Sequence, residues 1–459
     1  MKKSARFLAL AVAAIMLLAL CACGGGGDTQ GSTPPASTAP TESTPDESTP
    51  AETETGGEEP AGEMSALDQL LAMEDKLPLG GLQPAHLESR ADIDKALPVD
   101  KTNDDQIVIG WAGASQGSTF FTQMYETAQE KCDEYGYELR YQNANFDLNA
   151  QMTQIETFLT QGVDFLVVNA VDIDSTLSYY QQAVAQGIPV ITCGPTAAQS
   201  DYPTVTTVLS GSFESGYVVG QYVAEKLYEE LAGEPLKVGF VISRAGDADS
   251  NSRPCGFVSG YIEKFAELSG NPYPGKWEAT LDGYEAWTTC RDEASYTVDG
   301  VMELVGYVAA GATDANSGQK VAADLITAHP DMDLIFVETD SLGPGVLQEV
   351  EQHGMTAGED VYICCGADAA NYTLEYILEG KMLAVGSNNP YYSGGGIVEL
   401  IHDILDGYDA NNLPANSFTP TYCVNVDNVE EYYDPDAEFA PPMEWNIQNI
   451  DEYNAANAG

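Results

Sequence analysis

Polar side chains set beside glycines or aromatics recur along this 459-residue chain, each time just after a short apolar run. They fall at Gly113–Phe121, Asn169–Asp172, Cys193–Pro195, Ser243–Arg253, Thr339–Asp340, Gly366–Asp368 and Ser387–Tyr392. Asparagine donates and accepts in pairs, and aspartate accepts in pairs. A hydroxyl taken out of water needs such a partner, and a flat aromatic face covers the apolar face of a ring. The chemistry this set suits is non-covalent capture of a small polyhydroxylated molecule. The candidate contacts are Phe120, Phe121, Asn169, Asp172, Asn251, Arg253, Thr339, Asp340, Asp368 and Asn388. Several have a structural alternative. Asn169, Asp172 and Asp340 are placed to cap helices, one of the two phenylalanines suits a core, and Arg253 suits a salt bridge.

Covalent chemistry is poorly represented. The histidines at 86, 329, 353 and 402 show no ligand spacing, and no phosphate-binding GxxxxGK[ST] run appears. Asp247-Ala-Asp249-Ser-Asn251 copies the start of a calcium loop but lacks its glycine and terminal glutamate. The expectation is therefore no enzyme, no catalytic residue, no cofactor and no metal, with 247–251 lining a cleft instead.

These loops need elements to carry them. Ile107–Trp111 reads as a buried strand, and Phe121, Met124, Tyr125, Ala128, Cys132 and Tyr135 share one helix face ended by Gly136. Strand and helix then alternate through strands at 137–141, 165–168 and 188–192, and the rhythm resumes after Ser210 with strands at 236–242, 334–337, 361–364 and 382–385. Continuous apolar strands between amphipathic helices mean a parallel sheet covered on both faces. Two such units in succession give an α/β chain of two doubly wound lobes. Ligands of such sheets bind beyond the carboxyl ends of the strands, where the candidate residues lie. The stretch 270–318 breaks the rhythm and pattern alone does not fold it, 277–314 within it reading as a surface insertion with reshaping of the cleft as the alternative, and a helix is expected from about Arg253.

The amino-terminal end carries an address. Lys2, Lys3 and Arg6 precede an apolar run from Phe7 to Leu20, the build of a secretory signal. That run falls short of the about 20 residues a membrane span needs. Leu20-Cys21-Ala22-Cys23-Gly24 resembles the bacterial lipobox, which implies removal of 1–22 and lipid on Cys23. Residues 23–62 are rich in Ser, Thr, Pro and Glu and nearly without large apolar side chains, so they read as a disordered tether. Residues 63–105 form a short extension of unassigned role. A formal net charge of -53 argues against nucleic acid as a partner. The seven cysteines beyond Cys23 show no CxxC spacing, and Cys255 with Cys290 is the one pair worth testing as a disulfide.

From Ile107 to about Asp427 the chain resembles the type I periplasmic solute-binding proteins, the sugar-binding family of ABC transporters that includes ribose- and galactose-binding proteins. The matching stretches are Thr119–Phe121, Gln161–Asn169, Gln186–Thr192 and Ala328–Phe336. The resemblance implies two lobes joined by a three-crossing hinge: lobe one at 106–211 plus 388–418, lobe two at 212–387 plus 419–459. It maps the family's aromatic pair to Phe120 and Phe121, its asparagine of lobe one to Asn169, its asparagine-aspartate pair to Thr339 and Asp340, and its late polar residue to Asn388. Two departures are expected: Cys193-Gly194 stands where pentose binders carry Asp-Arg, and Gly366 takes the aspartate position of a Gly-Phe-Asp-Gly turn, with Asp368 two residues on. The implied protein sits on the outer face of the cytoplasmic membrane and passes a sugar or similar solute to a permease. The alternative is a ligand-sensing lipoprotein that presents the solute to a receptor.

Overall fold

The alternation expected after Ile107 is what the chain adopts. The computed structural model describes residues 64–82, 90–97, 99, 106–194, 202–443 and 445; the signal, Cys23 and the tether lie outside them. Helix α1 (Ala66–Ala72), whose Ser65 cap accepts from Asp68 N, comes first. Then follow β1 (Val108–Gly113), α2 (Thr119–Tyr135), β2 (Glu138–Asn143), α3 (Leu148–Gln161), β3 (Phe165–Asn169), α4 (Ile173–Ala185), β4 (Val190–Cys193) and β5 (Thr206–Leu209). The next unit runs α5 (Ser212–Leu227), β6 (Leu236–Ile242), α6 (Ala248–Leu268), α7 (Lys276–Glu293), β7 (Tyr296–Val298), β8 (Met302–Ala309), α8 (Ala315–Ala328) and β9 (Leu334–Val337). It continues with α9 (Gly343–Gln352), β10 (Tyr362–Cys365), α10 (Asn371–Leu378) and β11 (Ala384–Gly386). Last come α11 (Pro390–Ser393), α12 (Gly395–Leu405), β12 (Asn416–Phe418), β13 (Cys423–Asn425) and α13 (Val429–Tyr432).

One sheet has the order β12-β5-β4-β3-β1-β2 and the other β13-β11-β10-β9-β6-β8-β7. All pairs of the first are parallel. In the second only the edge strands β13 and β7 run antiparallel. The chain passes between the sheets after β5, after β11 and after β12, so the two lobes share a three-crossing hinge. Local signals explain the element ends. Gly136 and Gly162, at φ 75° and 66°, close α2 and α3 in the left-handed conformation that glycine adopts without penalty.

Two expectations about the elements needed correction. The helix placed from about Arg253 begins at Ala248, because Asp247 accepts from Asp249 N and Ser250 N and caps it. The stretch 277–314 is no surface insertion: it supplies nearly all of α7 and the β7–β8 hairpin, with α8 starting directly after it. Trp287 of α7 is fully buried against Phe240 of β6, ring centroids 5.1 Å apart.

Helices α5 and α6 approach so closely that glycines must line the contact. A Cβ placed on Gly216 would lie 1.9 Å from Arg253 O, and one on Gly220 2.1 Å from Phe257 O. Reciprocally, a Cβ on Gly256 would lie 2.0 Å from Phe213 O and one on Gly260 2.1 Å from Tyr217 O. The four-residue spacing on each helix sets small residues in one stripe, which lets backbones meet.

Both ends of the described chain touch both lobes. Gly80 O accepts from Phe213 N beside the first crossing, and the Arg291 guanidinium of α7 pairs with Asp75 at 2.7 Å. Farther on, Arg90 donates to the carbonyls of Val205, Ala410 and Asn411, and Ile93 and Ala96 are buried in the core of the first sheet. At the other end Ala440 N donates to Ala369 O in the second lobe, while Trp445 packs on Tyr392 and the core of the first. The tail expected wholly in lobe two thus crosses back. All seven cysteines of the described residues are free, Cys255 and Cys290 included, and all but Cys423 are buried. No helix of the described residues is long and apolar enough to cross a membrane.

Candidate functional site

The carboxyl ends of the two sheets face each other across a cavity of about 390 Å³. Its first wall is aromatic and amide in character. Helix α2 carries Phe120 and Phe121 in its first turn, edge to face at 5.6 Å, and Phe146 from the β2–α3 loop meets Phe121 at 5.8 Å. Phe146 and Asn145 hold φ of 59° and 51°, a conformation costly for side chains other than glycine. Phe146 N donating to Ala114 O and Asn145 N donating to Asn143 Oδ1 keep it in place. Asn169, at the end of β3, accepts from Ala114 N at 3.3 Å and donates to Cys193 O at 3.1 Å. It ties three strand ends while lining the cavity.

The opposite wall is charged. Arg253, from the second turn of α6, pairs with Glu338 at 3.0 Å and Asp368 at 3.5 Å, all three side chains almost wholly buried. Asp368 also accepts from Asn388 Nδ2 at 2.9 Å and Thr339 Oγ1 at 3.2 Å, and Ser243 donates to Glu338 through both its amide and its hydroxyl. Burial disfavours the guanidinium charge, but Asp368, Asp249, Glu338 and Asp247 outweigh it and raise the Arg253 pKa. Burial raises Glu338 and Asp368 above the usual carboxylate range, with Arg253 opposing the shift in both. One guanidinium therefore serves two desolvated acids. At the rim Arg244 lies over the Phe146 ring, 5.1 Å from its centroid, so the two lobes touch there.

Of the residues expected from sequence, Phe120, Phe121, Asn169, Arg253, Thr339, Asp368 and Asn388 line this cavity. Asp172, Asn251 and Asp340 do not. Asp172 is exposed and caps α4 by accepting from Ser175 N. Asn251 is fully buried behind the wall, donating to Ala245 O and Asp247 O and accepting from Trp287 Nε1, so it staples the cavity loop from inside. Asp340 is buried in a turn where its carboxylate accepts from Ala370 N. Gly366 offers the cavity no side chain, and Asp368, two residues on, reaches Arg253 there. Gly194 does leave its strand end without a side chain; a Cβ there would lie 2.8 Å from Asn169 Nδ2.

Sequence reasoning missed Glu338, Phe146 and Arg244. An acid closing the apolar run Leu334–Val337 was the available signal for Glu338. Gly113-Ala-Ser115-Gln-Gly117 has the spacing of a nucleophile elbow. Ser115 is buried, however, its hydroxyl accepts from Gly117 N, and no histidine of the described residues lines the cavity. Among the described residues no cluster of three or more His, Cys, Asp or Glu is arranged to hold a metal.

Asp340 gives a pH-dependent expectation. Burial, then the charge of Asp368, raises its pKa, so the folded state holds this proton more tightly than the unfolded chain. Stability from this proton is fully present below the unfolded value of about 3.9 and is lost as pH rises through the raised folded value. Asp340→Asn removes the titration and keeps an acceptor for Ala370 N. Its urea midpoint relative to the parent is expected to rise steadily from about pH 5 to about pH 8. A pH-independent difference would show that Asp340 does not titrate in this window.

The profile of the family described as periplasmic binding protein domain matches residues 109–409. The ribose import binding protein of Bacillus subtilis (strain 168) is 23% identical over 312 residues, 68% of this chain and 86% of that protein. A Mycobacterium smegmatis protein solved with β-D-fucofuranose superposes with TM-score 0.57 at 20% identity, covering 76% of this chain and 97% of its own. A solute-binding protein of an ABC transporter from Bacillus halodurans C-125, solved with myo-inositol, gives TM-score 0.55 at 23% identity, covering 72% and 99%. At such identities the structural likenesses speak to the fold.

Proposed function

Because the chain belongs to the periplasmic binding protein domain family, we propose that it captures a sugar or similar small polar solute between its lobes and delivers it to an ABC importer. It is a solute-binding protein and not an enzyme. The observation that carries the ligand class is the pairing of the two walls: a buried Arg253–Glu338–Asp368 group opposite Phe120, Phe121 and Phe146. A ring hydroxyl donates to a carboxylate and accepts from a guanidinium at once, and such charge-assisted bonds are the strong ones. The aromatic faces cover the ring's apolar side. Asp247, Asp249, Glu338 and Asp368 against Arg244 and Arg253 leave the lining with excess negative charge, which favours neutral solutes over anionic ones. Ribose, for which the Bacillus subtilis relative is named, and the fucofuranose and myo-inositol bound in the two solved structures belong to this neutral polyol class.

In this reading lobe one comprises 106–211 plus 388–418 and lobe two 212–387 plus 419 onward, with the tail returning to lobe one. A solute that bridges both walls favours the closed arrangement through contacts the open one lacks. Cleavage before Cys23 and lipid on that residue would hold the protein on the outer face of the membrane, at high effective concentration near its permease.

Calorimetry of the purified full-length chain against neutral sugars and polyols tests the proposal. Saturable binding is expected, with sugar phosphates and uronic acids silent. Phe120→Ala is expected to weaken binding about tenfold through lost ring contact. Saturable binding of anionic sugars alone, or of no sugar at all, would defeat it.

A further inference from the structure

A second cavity of about 610 Å³ opens beside the first and shares Ser118, Thr313 and Ser341 with it. Its remaining wall is polar where the first was aromatic: Gln123 and Glu126 from α2, Tyr372 from α10 and Glu438 from the returning tail. Glu438 is held there because its carbonyl accepts from Asn371 N. This space is not simply the gap of a clamp that has yet to shut. The lobes already meet where Arg244 covers Phe146, and Phe120 already touches Phe439 of the tail at 6.5 Å. One rim of the cleft is closed while the other continues into the annexe.

We propose that the solute has two linked rings, a neutral disaccharide or comparable glycoside, with one ring between the aromatic and charged walls and the other in the annexe; this rests on the sugar-capture reading above. The lining supports that class. Side-chain amides, hydroxyls and carboxylates serve the hydroxyls of a second ring. The carboxylates of Glu126 and Glu438, with no basic side chain in the annexe lining, disfavour an anionic second unit. The annexe adds polar contacts at one end of the solute only, so it discriminates by chain length without altering how the first ring is held.

The test uses the full-length protein on an array running from single neutral sugars to tetrasaccharides, followed by calorimetry of the best binder. A best binder of two or more rings is expected, about tenfold or more tighter than its component single sugars. The paired substitution Gln123→Ala with Glu438→Ala is expected to erase most of that advantage and leave single-ring affinity unchanged. A single sugar as the best binder, or an advantage indifferent to the paired substitution, would overturn the annexe while sparing sugar capture. Binding of no sugar would overturn both.

Discussion

Arg253→Met is expected to abolish solute binding and to cost about 3–5 kcal/mol of folding free energy. Methionine retains much of the stem's volume, so the loss is electrostatic rather than a cavity. It leaves Glu338 and Asp368 buried with no cation, although each still accepts from neutral donors, Ser243 for the first and Asn388 and Thr339 for the second. Both acids already sit above the ordinary carboxylate range through burial. Without Arg253 they rise further, so the variant recovers stability as pH falls and the carboxyls take up protons. Arg253→Lys is expected to be a poor substitute, since a point charge does not present the forked donors that serve two acids. The triple change Arg253→Met, Glu338→Gln and Asp368→Asn separates folding from function. It is expected to restore much of the urea midpoint and none of the binding. Unchanged affinity in Arg253→Met would remove the charged wall from the site.

The second large effect lies at the contact of α5 and α6. Gly256→Ala is expected to destabilise by about 1–3 kcal/mol or more, because its methyl would stand 2.0 Å from Phe213 O and the helices must part to admit it. The intrinsic helix preference of alanine over glycine, about 1 kcal/mol, acts the other way and is too small to compensate. Gly216→Ala is expected to destabilise at least as much, its methyl standing 1.9 Å from Arg253 O, and to weaken binding beyond that loss because it shifts the base of the charged wall. Chemical denaturation beside calorimetry distinguishes the two substitutions. Equal loss of affinity in both would show that the contact acts only through global stability.

Much of this fold was legible because β1, β3, β4, β6, β9 and β10 are short apolar runs between helices whose apolar residues share a face. The strands β5, β12 and β13 were not seen: each is short and partly polar, with Thr206, Thr207, Asn416, Ser417 and Asn425 among so few positions, so none presents an apolar run. In the stretch after Gly270 the charged and apolar residues of α7 alternate without a clean face. That helix buries Trp287 and Cys290 while leaving polar residues around them, so pattern alone gave nothing to follow. At the site, residue type identified the right loops but not which side chain within a loop turns inward. Asp172 and Asp340 are short polar residues at a helix start and a turn, where a backbone amide competes with a solute for the same oxygen, while Asn251 spends its side-chain amide on Ala245 O, Asp247 O and Trp287 Nε1. Phe146 escaped because its place on the wall depends on a left-handed backbone held by a hydrogen bond to Ala114 O beyond the end of β1.

The docked amino-terminal extension sets a length. Leu82 packs on the second lobe and Arg90 bonds to the first, eight residues farther along the chain. A fully extended chain advances about 3.3–3.6 Å per residue, so this leash reaches about 28 Å at most. Any opening that carried the two docking points farther apart would pull one of them from its seat. The amplitude of the clamp is thus bounded by a covalent distance, whatever the solute, and lengthening the leash with glycine and serine would measure how near the molecule works to that bound.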